Sequence, residues 1–152
     1  MTTRWDLAVY DHNEQLALVV EVKNKTQVAP EWAGRLRQNI LAHGIYPDAP
    51  FFLMAFPDHF YLWVASKATQ ARIEPDYSVD AHPILQPYFD HAGVTHDQIS
   101  GQSLELIVAG WLSEVINAEK SPKQIVASEH WLIESGLYAA IAGGRFEHEV
   151  FA

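Results

Sequence analysis

The chain has 152 residues, 49 % of them apolar, and a formal net charge of −9, enough for a single domain with a substantial core. It holds no cysteine, which excludes disulfides, thiolate zinc sites and cysteine nucleophiles. No apolar stretch approaches a membrane span, and the opening residues MTTRWDLAVYD lack the apolar region of an export signal, so a cytoplasmic location is expected.

The charge is unevenly spread. Residues 1–45 hold five basic groups (Arg4, Lys23, Lys25, Arg35, Arg37) and five acidic ones (Asp6, Asp11, Glu14, Glu21, Glu31), whereas residues 46–152 hold five basic and fourteen acidic. Phosphate contacts normally demand a basic surface. The N-terminal part is neutral enough to permit nucleic acid at one face, while the whole argues against tight nonspecific binding by a lone monomer.

Residues 4–25, RWDLAVYDHNEQLALVVEVKNK, read as two strands folded into a hairpin. The second carries LALVV, apolar enough to be buried, and ends on Glu21 and Lys23, which share one strand face while Val20 and Val22 take the other. Charges at the end of a buried strand are costly unless paired or coordinated. Side chains alternate, so Asp6 on the first strand reaches Glu21 only if the hairpin loop has an even number of residues, as in loops at Asn13-Glu14 or His12 to Gln15.

After a connection at Thr26 to Ala29, Pro30 suits the first position of a helix that runs through EWAGRLRQNILAHG to Gly44. Trp32, Leu36 and Ile40 form its apolar stripe, and Glu31, Arg35, Gln38, Asn39 and Ala42 line another side. Tyr46 to Pro50 is a loop. Phe51 to Phe56 and Phe60 to Ser66 read as strands of a second hairpin, joined at Pro57-Asp58-His59, the first covered on both faces. Asp58 and His59 shape that turn.

From Lys67 to Ile99 the pattern is that of a polar, loop-rich connection punctuated by Pro75, Pro83 and Pro87, with Ile84, Leu85, Tyr88 and Phe89 giving one short helix or an irregular apolar flap. The cluster Asp76, Asp80, His82, Asp90, His91, His96 and Asp97 has spacings that match no defensible metal site. Further on, Ser103 can cap a helix whose stripe is Leu104, Ile107, Val108, Trp111, Leu112, Val115 and Ile116. Ser121-Pro122-Lys123-Gln124 is an N-terminal signature for a last helix running to about Ile141, ended by Gly143-Gly144. These helices serve as core cover, or one of them as a homodimer interface.

Asp6, fourteen intervening residues, then Glu21-Val22-Lys23, followed by a helix and further strands, resembles the PD-(D/E)xK, or restriction-endonuclease-like, nuclease superfamily over roughly the first 65 residues. The strand, short turn and aromatic-rich strand after the helix look like the N-terminal nuclease domains of type I restriction subunits. The resemblance implies an α/β domain over residues 1–152: a mixed sheet of two hairpins with an intervening helix (core about 1–66) and a helical C-terminal layer (about 100–152). It implies a nuclease acting on DNA. It also makes Arg35 and Gln38, with Arg37 behind them, candidates for phosphate contacts or for orienting Lys23. Family members usually open with a helix that lends a further carboxylate; only five residues precede Asp6, so the helix at 103–118 is expected to take that place, with Glu105 or Glu114 as distant substitutes.

The chemistry is consistent with that implication. Phosphodiester hydrolysis needs an activated water and a neutraliser of phosphate charge, which a hard ion such as Mg²⁺ or Mn²⁺ on oxygen ligands supplies. Asp6, Glu21 and the carbonyl of Val22 would be those ligands, and Lys23 would orient the water or steady the phosphate. The opposing readings are a plain salt bridge of Glu21 and Lys23 on an edge strand, and a non-catalytic nuclease-fold scaffold acting through protein partners.

Overall fold

The apolar runs of the N-terminal half form strands, as their β-branched and aromatic content favours, in a computed structural model that describes residues 4–43, 49–65, 73–118 and 127–151. In chain order the elements are β1 (Arg4–Tyr10), β2 (Leu16–Val22), α1 (Pro30–His43), β3 (Phe51–Ala55), β4 (His59–Val64), β5 (Tyr77–Asp80), α2 (His82–Ala92), α3 (Gly101–Asn117), a 3-10 turn (Ala127–Glu129), α4 (His130–Glu134), α5 (Leu137–Ile141) and β6 (Arg145–Phe151). The strands make one mixed six-stranded sheet in the order β5-β4-β3-β2-β1-β6. Its centre is the parallel pair β2 and β3, which a tight turn cannot connect; α1 is the crossover. The expected α/β class and both hairpins are present.

Strand alternation divides the core in two. Leu7, Val9, Leu18, Val20, Leu53 and Leu62 pack with residues of α2 to α5, including Leu85, Leu104, Val108, Trp111, Leu132 and Leu137. Ala8, Val19, Phe52, Met54, Tyr61 and Trp63 pack on the other face with Ala33, Leu36 and Ile40 of α1. The stripe of α3 is therefore engaged within the chain: Leu104, Ile107, Val108, Trp111, Leu112, Val115 and Ile116 are all buried, and a homodimer through that face would have to displace the core.

Several expectations need correction. The residues between β1 and β2 number five, Asp11 to Gln15, not an even number. Asp11 closes this loop by accepting hydrogen bonds at Oδ1 from the N–H groups of Asn13 and Gln15, at 2.8 and 2.9 Å, and Glu14 takes a left-handed φ of 61°. The register restores the parity: Val9 pairs with Leu18 and Tyr10 with Leu16, leaving Ala17 as a bulge. One bulge residue plus an odd loop keeps Asp6 and Glu21 on one face.

The buried side of α1 is centred on Ala33 and Arg37, while Trp32 remains 43 % exposed. Gly34 is also turned inward; a Cβ there would lie 2.0 Å from the carbonyl oxygen of Ile73, so its bare backbone is what lets the chain entering β5 pass against the helix. The connection after β4 is not all loop, since it contributes β5 to the sheet edge and the eleven-residue α2. The cap of α3 is Ser100, whose Oγ accepts from the Ser103 N–H at 3.1 Å; Ser103 is the third helical residue. Gly136, at φ 85°, splits the expected last helix into α4 and α5, and Ser121 to Gln124 lie outside the described residues. Beyond Gly143-Gly144 the chain forms β6, antiparallel to β1.

Candidate functional site

The two acids expected to cooperate come from neighbouring strands near the centre of the sheet. Leu7 pairs with Val20, and one step further along the same register Asp6 stands across from Glu21. Both lie on the face covered by α1, and both are largely buried, at 9 % and 5 % exposure. Like charges directly opposite each other on a sheet repel, and carboxylates out of water require compensation.

Part of that compensation is local. Asp6 Oδ2 accepts a hydrogen bond of 2.7 Å from the main-chain N–H of Val22. Lys23 Nζ lies 3.8 Å from Glu21 Oε2 and is much more open to solvent than its partner, at 38 % against 6 % side-chain exposure. The Lys23 N–H bonds to the Ala55 carbonyl at 2.9 Å, which extends the β2–β3 pairing one residue past the strand. That bond fixes the alternation: Lys23 falls on the face of Glu21, and Val22 turns its main-chain groups toward β1 and Asp6. The salt-bridge geometry is thus real, but β2 is an interior strand with neighbours on both sides, not an edge.

The segment leaving the site is held in place. Asn24 Nδ2 donates to the Ile99 carbonyl at 2.7 Å, and the Gln27 N–H, on a residue with φ 57°, donates to Asp58 Oδ2 at 2.9 Å. Asp58 thereby ties the β3–β4 turn to the entry of α1, the shaping role expected of it. Lys25 Nζ lies 4.5 Å from the centroid of the Trp32 ring.

Arg35, Gln38 and Arg37 divide unequally. Arg35 is exposed, Gln38 is half-buried and Arg37 is buried. Arg35 precedes Arg37 by two residues, about 200° around the helix, so it belongs to the outer side of α1 and not to the sheet face that carries the acids. Arg37 is the inward basic residue: its guanidinium carbon lies 5.5 Å from the Phe52 ring and 5.3 Å from the Trp63 ring, and burial lowers its pKa against the opposing effect of Asp76. An apolar stripe centred on Trp32 favours Arg35 over Arg37, but Trp32 is 43 % exposed and the helix turns Arg37 inward.

The expected substitute carboxylates are elsewhere. Glu105 lies 3.7 Å from His148 Nδ1, and Glu114 receives the Tyr88 hydroxyl; α3 packs on the face of Leu7 and Val20, opposite Asp6. Among the described residues no group of three or more His, Asp or Glu side chains is arranged to hold a metal ion, and the 76–97 cluster resolves into local pairs such as Asp80 with His82 at 2.7 Å.

Two carboxylates still suit one class of ion. Mg²⁺ and Mn²⁺ prefer oxygen ligands, and Mg²⁺ in particular is commonly held by one or two carboxylates with water and substrate phosphate completing the shell. Asp6 and Glu21 fit that demand, with an ammonium beside them. No helix among the described residues is long and apolar enough to cross a membrane. No family model, curated protein or solved structure matches the chain.

Proposed function

We propose that the chain is a Mg²⁺- or Mn²⁺-dependent nuclease of the restriction-endonuclease-like kind, hydrolysing phosphodiester bonds in DNA. The observation that carries this reading is the placement of two buried carboxylates, Asp6 and Glu21, across from each other on interior strands with Lys23 beside them. A structural salt bridge accounts for Glu21 and Lys23, whereas a bound ion also gives a use to Asp6, the second acid buried on the same face. The order hairpin, helix, hairpin around a parallel β2–β3 pair agrees with the same reading.

Asp6 and Glu21 would hold the ion. When bound it would supply charge neutralisation at the phosphate and a more acidic water. The Val22 N–H keeps the Asp6 carboxylate oriented, and the Ala55 carbonyl pins the main chain of Lys23. Lys23, the most open of the three charged groups, is placed to donate a hydrogen bond to the attacking water or to a phosphate oxygen, where it stabilises developing negative charge.

The test is hydrolysis of plasmid and single-stranded DNA with Mg²⁺ or Mn²⁺, comparing the wild type with Glu21→Ala purified in parallel. Metal-dependent cleavage lost in the variant is expected. Cleavage that persists in the variant, or none by the wild type on either substrate with either ion, would contradict the proposal.

A further inference from the structure

On the side of the sheet away from Asp6 and Glu21, helices α2 to α5 and the 3-10 turn leave a cleft of about 430 Å³ of open space, solvent included. Three aromatic residues, Tyr88, Trp111 and Tyr138, and two acids, Glu114 and Glu129, dominate its lining. Among the described residues no lysine, arginine or histidine lines it.

Its hydrogen-bond donors are turned to acceptors within the protein. The Tyr88 hydroxyl donates to Glu114, the Trp111 indole Nε1–H donates to Glu129 Oε1 at 3.3 Å, and the Tyr138 hydroxyl donates to the Ala118 carbonyl at 2.7 Å. Each carboxylate has more acceptor positions than these bonds use. The cleft therefore offers a ligand negative charge and aromatic surface. Burial, the hydrogen bond to Glu114 and the charges of Glu114 and Glu129 all raise the Tyr88 pKa, so that ring remains neutral and available as a wall. Most of the remaining lining is ring surface, which gives a hydrated divalent ion no ligand but suits a cation that carries alkyl groups. An anion would meet two carboxylates.

We propose that this cleft binds a small alkylammonium cation, its charge facing Glu114 and Glu129 and its alkyl groups against Tyr88, Trp111 and Tyr138. Rings attract a cation through their quadrupole, most strongly when it is partly desolvated, and the two acids add a field of the same sign. Nothing in the inference depends on the nuclease reading, because the cleft and the acid pair lie on opposite faces of the sheet.

The experiment is a titration of tetramethylammonium chloride at constant ionic strength, followed by the NMR shift of the Trp111 indole N–H, with the uncharged neopentyl alcohol as comparator. Saturable binding of the cation is expected, at least about tenfold tighter than the alcohol and weakened about tenfold or more in Glu114→Gln/Glu129→Gln. Both glutamines retain a carbonyl acceptor for the existing hydrogen bonds, and an unchanged melting temperature of the variant shows that it is folded. Tyr138→Leu should weaken binding several-fold by removing one wall. Choline and a trimethyllysine peptide then distinguish a free small molecule from a modified protein side chain by which binds more tightly. No saturable shift in the wild type, equal binding of the alcohol, or full affinity in the double variant would overturn the proposal.

Discussion

Asp6 Oδ2 accepts the main-chain N–H of Val22 at 2.7 Å, so the acid expected to serve chemistry also closes the hydrogen bonding of the strand opposite. The two roles separate by substitution. Asp6→Ala leaves a part-buried N–H without its acceptor and should cost about 1 kcal/mol or more. Asp6→Asn can keep the bond through its carbonyl oxygen and should cost less than Ala, while both variants lose Mn²⁺ affinity. Urea denaturation beside a metal titration checks this; equal destabilisation by Ala and Asn would show that the bond to Val22 contributes little.

Lys23 is assigned to the water or the phosphate, not to the ion. Lys23→Ala should therefore retain Mn²⁺ binding within a few-fold but lower the hydrolysis rate about a hundredfold or more. The pair with Glu21, half open to solvent at its lysine end, is worth about 0–1 kcal/mol, and the melting temperature should barely move. Loss of metal binding in this variant would assign Lys23 a structural role in shaping Glu21.

Arg37 is a buried cation whose Nε and Nη1 have no hydrogen-bond partner among the described residues, held between Phe52 and Trp63. Its aliphatic stem fills space and its charge is costly. Arg37→Met should leave stability unchanged or raised, whereas Arg37→Ala should cost about 2 kcal/mol or more by opening a cavity. If Met destabilises as much as Ala, the charge contributes where the packing does not.

Asp80 offers a pH test. Its Oδ1 accepts the His82 main-chain N–H at 3.0 Å and faces His82 Nδ1 at 2.7 Å, and these bonds hold its pKa below the usual carboxylate value. A lowered folded pKa means stability present above the unfolded value of about 3.9 and lost as pH falls through the folded one. The advantage of the wild type over Asp80→Asn should thus be present at about pH 6 and vanish at about pH 2. Urea midpoints at several pH values measure it; a constant gap would remove Asp80 from the acid response.

Gly34 tests the packing of α1 against the segment before β5. A Cβ would approach the Ile73 carbonyl oxygen to 2.0 Å, a main-chain clash that no side-chain rotation relieves. Gly34→Ala should destabilise by about 2 kcal/mol or more despite the better helix propensity of alanine. A neutral or stabilising result would mean that the chain around Ile73 yields readily.

The parts of the fold legible in the sequence are those with strong local signals. LALVV and FFLMAF are short apolar runs with β-branched or aromatic residues, which favours covered strands, and the two-residue spacing of Glu21 and Lys23 puts both on one face. The hairpin loop differs from the expectation because a bulge at Ala17 carries the parity that the loop length lacks, and the bulge leaves no residue signature here. β5 is four residues at a sheet edge with alternate exposure, too short to stand out among prolines. β6, RFEHEVF, does alternate, and that alternation after Gly143-Gly144 was the available signal. The orientation of α1 departs from the expectation because a buried arginine, Arg37, breaks the rule that polarity marks the outer side. The candidate acids are legible because Glu21 is the one charge in β2 and Asp6 shares β1 with only one other, Arg4.

The most direct measurement of the central claim is calorimetric titration of Mn²⁺ into the wild type and into Glu21→Ala, with a phosphorothioate oligonucleotide present to supply phosphate oxygens. Saturable Mn²⁺ binding by the wild type, abolished in Glu21→Ala, is expected. Binding of equal strength in both proteins, or no binding by the wild type even with the oligonucleotide, would contradict it.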